Sequence, residues 1–196
     1  RLQPYLHPEL ELDTIDGNAF VSLVAFDFLD TRVLGIPWPG YRNFPEINLR
    51  FYVRHGNERG VVFIREYVPK RLIAFLARRL YNEPYVAAPM RSAWAEHDSG
   101  AELLHELSVG NRNHRLRVTL GSTISTPPED STAHFFKEHS WGFGQSRGGK
   151  LLRYQVWHPI WETRPVESLD LSWDFGSVYG TEWADLNKAE PYHTAF

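Results

Sequence analysis

Residues 46–54 read Glu-Ile-Asn-Leu-Arg-Phe-Tyr-Val-Arg, an alternation of polar and apolar side chains. Successive side chains of a β-strand point to opposite faces, so the alternation predicts a strand with one apolar and one mainly polar face. The apolar face carries Ile47, Leu49, Phe51 and Val53, and the polar face carries Glu46, Asn48, Arg50, Tyr52 and Arg54. Because an apolar face has to pack against another layer, this stretch is expected inside a sheet.

Shorter strands are predicted on both sides of this stretch. Asp16-Gly17 is typical of a hairpin turn, whereas the glycines and prolines of residues 35–45 exclude a central strand. The predicted strands are residues 9–14, 19–28, 61–68, 102–109, 114–120, 151–158 and 169–173. Turns are predicted at residues 55–60, 110–111 and 142–149. Residues 82–89 and the segment from 180 onward have no regular pattern.

Helical spacing of apolar residues predicts the longest helix at residues 69–81, with Pro69 at its first position. Asp130 or Ser131 can cap a short helix that contains Phe135 and Phe136. Many short strands with two or three helices indicate a β-rich α+β protein, built as a curved antiparallel sheet or a β-barrel.

Length and composition restrict the class of protein. The chain has 196 residues, of which 42% are hydrophobic and 23% charged, as expected of one globular domain over residues 1–196. It begins at Arg1 and its one methionine is Met90, so we expect it to be part of a longer protein. The chain has no cysteine, so it offers neither disulfides nor thiolate metal sites, and a cytoplasmic location is expected. The net charge of −3 and the lack of a long apolar run argue against nucleic-acid and membrane partners.

Familiar catalytic motifs are incomplete in this chain. Residues 144–150 resemble a phosphate-binding loop, but Leu151 stands where magnesium needs a hydroxyl, and a hairpin turn is the better interpretation. His134 and His139 are five residues apart, which does not fit a helical metal pair, and we expect no metal site. The basic residues Arg112, Arg115 and Arg117 are typical of a solvated strand face.

The polar face of residues 46–52 is the candidate functional site. Inside a curved sheet or barrel it would line an internal cavity, with a carboxylate beside an arginine. The alternative is an ordinary solvent-exposed face. The residue pattern alone leaves both interpretations open.

Several collinear motifs resemble the YqjF-like family of uncharacterised, mainly bacterial proteins. The resemblance extends over nearly the whole chain. The motifs are Leu12-Asp13-Thr14, Asp16-Gly17, Val21-Ser22-Leu23-Val24, Phe28-Leu29-Asp30-Thr31-Arg32, Glu46-Ile47-Asn48-Leu49-Arg50-Phe51-Tyr52-Val53, Gly60-Val61-Val62-Phe63, Glu83-Pro84-Tyr85, Glu138-His139-Ser140-Trp141-Gly142 and His158-Pro159-Ile160-Trp161.

That family is similar in fold to acetoacetate decarboxylase, which implies a β-barrel-like structure around an internal cavity. The decarboxylase works through a Schiff-base lysine in a motif where an arginine and a proline precede a lysine pair. The corresponding stretch here runs from Arg79 through Pro84 to Tyr85 and Val86, and it holds no lysine. The four lysines of the chain are Lys70, Lys137, Lys150 and Lys188, none adjacent to another. Schiff-base chemistry is therefore not expected.

Two functions of different classes remain. The first is binding of an anionic or carboxylate small molecule, without a cofactor, since arginines bind oxyanions bidentately. The second is a lysine-independent enzyme in which Glu46 acts as general acid or base. The predicted site consists of Glu46 as the catalytic candidate and Asn48, Arg50, Tyr52, Arg65, Arg79 and Tyr85 as ligand-binding candidates. A structural protein with a filled core is a third interpretation.

Overall fold

The computed structural model describes residues 1–31, 40–137, 139–155 and 162–195. Its strands are β1 (Glu11–Leu12), β2 (Thr14–Ile15), β3 (Asn18–Ala19), β4 (Val21–Phe28), β5 (Phe44–His55), β6 (Glu58–Val68), β7 (Tyr85–Ala87), β8 (Met90–His97), β9 (Gly100–Val109), β10 (Arg112–Gly121), β11 (Trp141–Gln145), β12 (Leu151–Gln155) and β13 (Val166–Ser172). The helices are α1 (Arg71–Leu80), α2 (Thr132–Lys137) and α3 (Phe175–Tyr179), with 3-10 helices at Gln3–Tyr5 and Thr181–Lys188.

Strand β5 lies in the middle of the larger sheet, as its alternation predicts. It pairs antiparallel with β1 and β4 on one side and with β6 on the other. A tight turn at Gly56 joins β5 to β6, and Gly56 has a φ of 59°, which glycine adopts without steric cost. The long central hairpin β5–β6 is the frame on which the candidate site is built.

The larger sheet is mixed rather than wholly antiparallel. Strands β7 and β11 both pair with β6 in parallel, and β12 follows β11 at the edge. A second sheet has the order β13-β10-β9-β8 and is antiparallel throughout. The β-rich class with a few helices is confirmed. The prediction of a wholly antiparallel sheet is wrong for the larger sheet. Over the described ranges the strands do not close into a barrel.

The main core lies on the apolar face of β5. Ile47, Leu49, Phe51 and Val53 are at most 1% exposed. They belong to one cluster with Leu107 of β9, with α3 and with the 3-10 helix that follows it. The second sheet and the C-terminal helices therefore cover this face, and the opposite face of β5 is left for the polar side chains.

Helix α1 confirms the prediction for residues 69–81 with shorter bounds. Lys70 has an extended backbone at the N-cap position, so Pro69 lies outside the helix rather than at its first turn. The short helix with Phe135 and Phe136 is also present as α2, preceded by Ser131, whose hydroxyl accepts from the His134 amide. Predicted strand 151–158 is confirmed as far as Gln155, and its remainder lies outside the described residues.

Four segments differ from the sequence predictions. Strand β8 was not predicted, and β7 lies within residues 82–89, where no regular element was predicted. Residues 142–145 belong to a strand rather than to a turn, and residues 175–179 and 181–188 are helical. The glycines of β11 interrupt the alternation of polar and apolar side chains, and the C-terminal helices are too short to show a helical period. No helix in the described ranges is long and apolar enough to cross a membrane.

Candidate functional site

The polar face of β5 is largely buried. Glu46, Asn48 and Tyr52 are at most 2% exposed, Arg50 is partly buried and Arg54 is exposed. The interpretation of a solvent-exposed polar face is therefore wrong for the first three residues. Buried polar side chains need partners, and their partners define the site.

Glu46 is held by two hydrogen bonds. Asn48 donates from Nδ2 to Glu46 Oε1 at 2.9 Å, and the Tyr85 hydroxyl donates to Glu46 Oε2 at 2.8 Å. Tyr85 reaches Glu46 because β7 runs parallel to β6 at this level of the sheet. The structure thus brings together Glu46, Asn48 and Tyr85, three of the predicted site residues.

Two further carboxyl groups that sequence reasoning missed lie beside Glu46. Glu66 is opposite Asn48 across the β5–β6 ladder and opposite Tyr85 across the β6–β7 ladder, so all three side chains share one face. Glu83 precedes β7 and is 6% exposed. We refer to Glu46, Glu66 and Glu83 as the carboxyl cluster.

Strand β11 makes room for this cluster with two glycines. A Cβ atom on Gly144 would lie 3.0 Å from Glu83 Oε1, and one on Gly142 would lie 2.3 Å from Cζ of Tyr154. Tyr154 is opposite Gly142 on β12, and its ring occupies the space where a side chain on Gly142 would lie. Because Gly142 and Gly144 have no side chains, Tyr154 and Glu83 can lie close to the backbone of β11.

Burial favours the protonated form of the carboxyl cluster. It raises the pKa of Glu83 to about 7, with a smaller contribution from the charge of Glu46. Burial also raises the pKa of Glu46, and raises that of Glu66 further, because the charges of Glu46 and Glu83 act in the same direction. Hydrogen bonds from Asn48 and Tyr85 and the charge of Arg50 oppose the effect at Glu46. Burial therefore favours the protonated form of each of the three carboxyl groups, and Glu83 is about half protonated at pH 7.

Several polar atoms around the cluster lack a partner. Asn48 Oδ1, Glu66 Oε1 and Glu83 Oε1 are buried and accept no hydrogen bond from the described residues. Arg50 Nε is likewise buried without an acceptor, and no described carboxylate forms an ion pair with the Arg50 guanidinium. The guanidinium lies 5.7 Å from the centroid of the Tyr52 ring. This face therefore holds both donors and acceptors that have no partner among the described residues.

Tyr52 connects the polar face to a second buried group of charges. Its hydroxyl is 2.7 Å from Ser22 Oγ, and its ring centroid is 4.6 Å from that of His139. His139 Nε2 lies 3.0 Å from Asp13, which also accepts from Arg59 Nε at 2.6 Å. Burial lowers the pKa of His139 to about 4, so this imidazole is neutral near pH 7.

The structure does not bring Arg65 or Arg79 to the cluster. A register shift in the β5–β6 ladder places Arg65 opposite Leu49, on the core face, where it donates to the Val178 carbonyl at 2.7 Å. Arg79 is exposed in the last turn of α1. The β-bulge turns Arg65 to the other face of the sheet, and alternation alone does not reveal it.

None of the lysine side chains that the structure describes joins the cluster. Lys70 lies over the Tyr41 ring, Lys150 is in the turn after β11 and Lys188 ends the last 3-10 helix. The turn that resembles a phosphate-binding loop joins β11 to β12 and has no helix after it, which confirms the hairpin interpretation. In the described ranges, no group of three or more acidic or histidine side chains is arranged to hold a metal ion.

A family model gives the chain its place among known proteins. The model of DUF2071, described as an uncharacterised conserved protein, matches residues 1–195. The chain belongs to the DUF2071 family. Uncharacterised protein YqjF of Bacillus subtilis (strain 168) is 39% identical over 84 residues, which are 42% of this chain and 35% of YqjF. The resemblance to YqjF seen in the sequence is confirmed.

Solved structures show which fold this DUF2071 chain has. An acetoacetate decarboxylase-like enzyme from Sphingomonas wittichii RW1 is 16% identical with a TM-score of 0.53, covering 83% of this chain and 65% of that one. The enduracididine biosynthesis enzyme MppR, solved with pyruvate, is 13% identical with a TM-score of 0.52, covering 83% and 61%. The fold is acetoacetate decarboxylase-like. The chain spans less than two thirds of either solved protein.

Proposed function

We propose that the polar face of β5 binds a small molecule that carries a carboxylate. Arg50 is the residue that receives the carboxylate, and the carboxyl cluster with Tyr85 receives the rest of the molecule. The observation that carries the proposal is the Arg50 guanidinium, which has no acidic partner among the described residues although it lies on a buried face.

Arg50 has the chemistry that a carboxylate requires. Its planar guanidinium can donate two parallel hydrogen bonds to the two carboxylate oxygens. Because Arg50 is partly exposed while Glu46 and Asn48 are buried, a ligand can reach the guanidinium from solvent. The Tyr52 and Ser22 hydroxyls, 2.7 Å apart, share one hydrogen bond, so the hydroxyl that accepts it keeps its own O–H as a donor on the same face.

The carboxyl cluster does not repel such a ligand while it holds protons. Burial raises the pKa values of Glu46, Glu66 and Glu83, which favours their uncharged forms beside Arg50. Unpartnered Asn48 Oδ1 and Glu66 Oε1 can accept hydrogen bonds from hydroxyl or amine groups of the ligand. Binding of pyruvate by MppR, a protein of similar fold, agrees with a small oxo acid as ligand.

We expect Arg50→Gln to lower carboxylate affinity by about tenfold or more, because it removes a charge-assisted hydrogen-bonding partner. Arg79→Gln is the matched control, since Arg79 is exposed on α1 and should leave the affinity unchanged. The measurement is calorimetric titration with sodium pyruvate, sodium acetate and sodium benzoate, preceded by native mass spectrometry of freshly purified protein. If no small molecule copurifies and none of the three salts binds, or if both variants behave alike, the proposal fails.

A second candidate function is acid–base chemistry that needs no lysine. Two observations favour it. Tyr85 donates a hydrogen bond to Glu46, and the neighbouring Glu83 has a pKa of about 7, which suits proton transfer at neutral pH. In this function the ionised form of Glu46, which Asn48, Tyr85 and the charge of Arg50 favour, removes a proton next to the ligand's carbonyl, and Arg50 holds the carboxylate. The reaction transfers one proton from carbon to the Glu46 carboxylate and leaves an enolate, which is reprotonated from the same group.

We expect Glu46→Gln to separate this function from binding alone, because glutamine keeps the shape but cannot take up the proton. The measurement is hydrogen–deuterium exchange at the methyl group of pyruvate in D2O, followed by proton NMR. Loss of protein-dependent exchange by about a hundredfold in the variant, with its melting temperature kept, supports the enzyme. Wild-type exchange no faster than in buffer excludes acid–base chemistry on pyruvate. A lower melting temperature with unchanged ligand binding assigns Glu46 a structural role.

A further inference from the structure

A surface cleft of about 340 Å³ lies at the end of the second sheet, away from the polar face of β5. It is lined by residues at the start of β10 and at the end of β13, namely Arg112, Asn113, His114, Ser172, Trp173 and Asp174. Trp173 belongs to the core cluster on the apolar face of β5. The cleft is therefore separated from Arg50 by the larger sheet.

His114 presents a buried N–H to this part of the structure without an acceptor. Its Nδ1 accepts from the backbone N–H of Asp174 at 3.2 Å, which places the ring proton on Nε2. His114 is 2% exposed, and Nε2 has no hydrogen-bond partner in the described residues. Burial lowers the pKa of His114, so the neutral ring with this tautomer is the form at pH 7.

Trp173 supplies a second such donor. Its indole Nε1 is buried without an acceptor, and the ring is 7% exposed. The Trp173 and His114 ring centroids are 5.3 Å apart. Unsatisfied buried donors are uncommon in folded proteins, and two neighbouring ones on the wall of one cleft indicate a missing acceptor.

The charged and amide side chains of the lining already have partners. The Asn113 carbonyl accepts from the Ser108 hydroxyl at 2.7 Å, and Asn113 is exposed on the face of β10 opposite to that of His114. The Asp174 carboxylate is paired with the Arg112 guanidinium and also accepts from the backbone N–H of Ser177. The buried donors of the lining that remain without a partner among the described residues are therefore His114 Nε2 and Trp173 Nε1.

We propose that this cleft is a second binding site, which takes a small oxyanion whose oxygens accept hydrogen bonds from His114 Nε2 and Trp173 Nε1. Arg112 and Asp174, which are paired with each other, form the rim of the cleft. A carboxylate and a phosphate share this chemistry, and the experiment distinguishes them. The site is independent of the proposed function of Arg50.

The test follows the indole N–H signal of Trp173 by proton–nitrogen NMR, with the signal assigned by Trp173→Phe. Sodium acetate and sodium phosphate are titrated separately at constant ionic strength, with sodium chloride as the reference salt. We expect a saturable downfield shift with at least one of the two oxyanions, with a midpoint of about 10 mM or lower. Movement with acetate alone identifies a carboxylate site, and movement with phosphate alone identifies a phosphate site.

Trp183 is an internal control, because its Nε1 is also buried without a partner but the residue lies outside the lining of the cleft. Its signal should stay in place during both titrations. His114→Phe keeps a ring in this position and should weaken the response of Trp173 by about tenfold, while the other indole signals report that the fold is intact. The proposal is overturned if Trp173 does not move, if it moves equally in sodium chloride, or if Trp183 moves with it.

Discussion

Replacing Glu83 with glutamine is expected to make the protein more resistant to alkaline pH, by about 3 kcal/mol in the free energy of unfolding. The folded pKa of about 7 lies above the ordinary value of 4.5, so between these values the folded chain holds a proton that the unfolded chain has lost. The stability that Glu83 contributes is thus present below pH 4.5 and is lost as pH rises through 7. Glutamine does not ionise and removes this loss.

The measurement is urea denaturation of the wild type and of Glu83→Gln at several pH values between 4.5 and 8. The difference in the free energy of unfolding should grow with pH in favour of the variant. His139, whose pKa is lowered to about 4, acts oppositely by adding stability as pH rises to 6.5, but it does so in both proteins and cancels in the difference. Glu102→Gln, on an exposed position of β9, is the control and should show no such trend. A constant difference for Glu83→Gln would contradict the assigned burial.

Trp183→Ala is expected to lower the free energy of unfolding by about 3–5 kcal/mol, the usual cost of removing a buried tryptophan. Trp183 is 1% exposed and packs in the core cluster beneath the apolar face of β5, with its ring centroid 6.0 Å from that of Tyr5. The effect should appear in the denaturation midpoint at neutral pH. Trp94→Ala is the matched control, because Trp94 is 51% exposed on β8 and should cost much less. Equal losses in the two variants would show that residues 181–188 do not belong to the core.

Trp183 also shows where sequence patterns are insufficient. Residues 175–179 and 181–188 form helices too short for a helical period to emerge, so nothing local indicates that this segment fills the core. Their helical state depends on packing against β5, which is distant in the sequence. By contrast, β5 and α1 each have enough residues for the period of 2 or 3.6 to be evident, and both were predicted.

The candidate site was predictable on β5 and, at Tyr85, on β7, but not on β6. Alternation alone places Glu46 and Asn48 on one face, but the face of Glu66 and Arg65 depends on the bulge opposite Leu49 and Arg50. Before the bulge is known, Arg65 is the natural partner for Glu46. In the structure Glu66 lies on the face of Glu46 and Arg65 lies on the opposite face, so a carboxyl group rather than an arginine is next to Glu46. An extra residue in one strand has this effect because it reverses which side chains share a face.

Glu83 and the glycines of β11 were missed for a different reason. A Trp-Gly-Phe-Gly sequence before a glycine-rich turn is typical of the turn itself, and the spacing gives no sign that Tyr154 and Glu83 occupy the space over the two glycines. Only the pairing of β11 with both β6 and β12 shows that the glycines allow other side chains to lie close to the backbone of β11. The signal that was present, Glu83-Pro84-Tyr85, pointed to the right segment but not to its partner strand.

The central claim is that the polar face of β5 holds carboxyl groups whose pKa values are raised by burial, next to an arginine that forms no ion pair with a described carboxylate. Carbon-13 NMR of glutamate labelled at the side-chain carboxyl carbon tests it directly, with Glu46, Glu66 and Glu83 assigned by their glutamine variants. We expect the Glu83 signal to titrate near pH 7, those of Glu46 and Glu66 above the ordinary 4.5, and the pKa of Glu46 to rise further in Arg50→Gln. Titration of all three groups near 4.5, with no response of Glu46 to the loss of Arg50, would contradict the account.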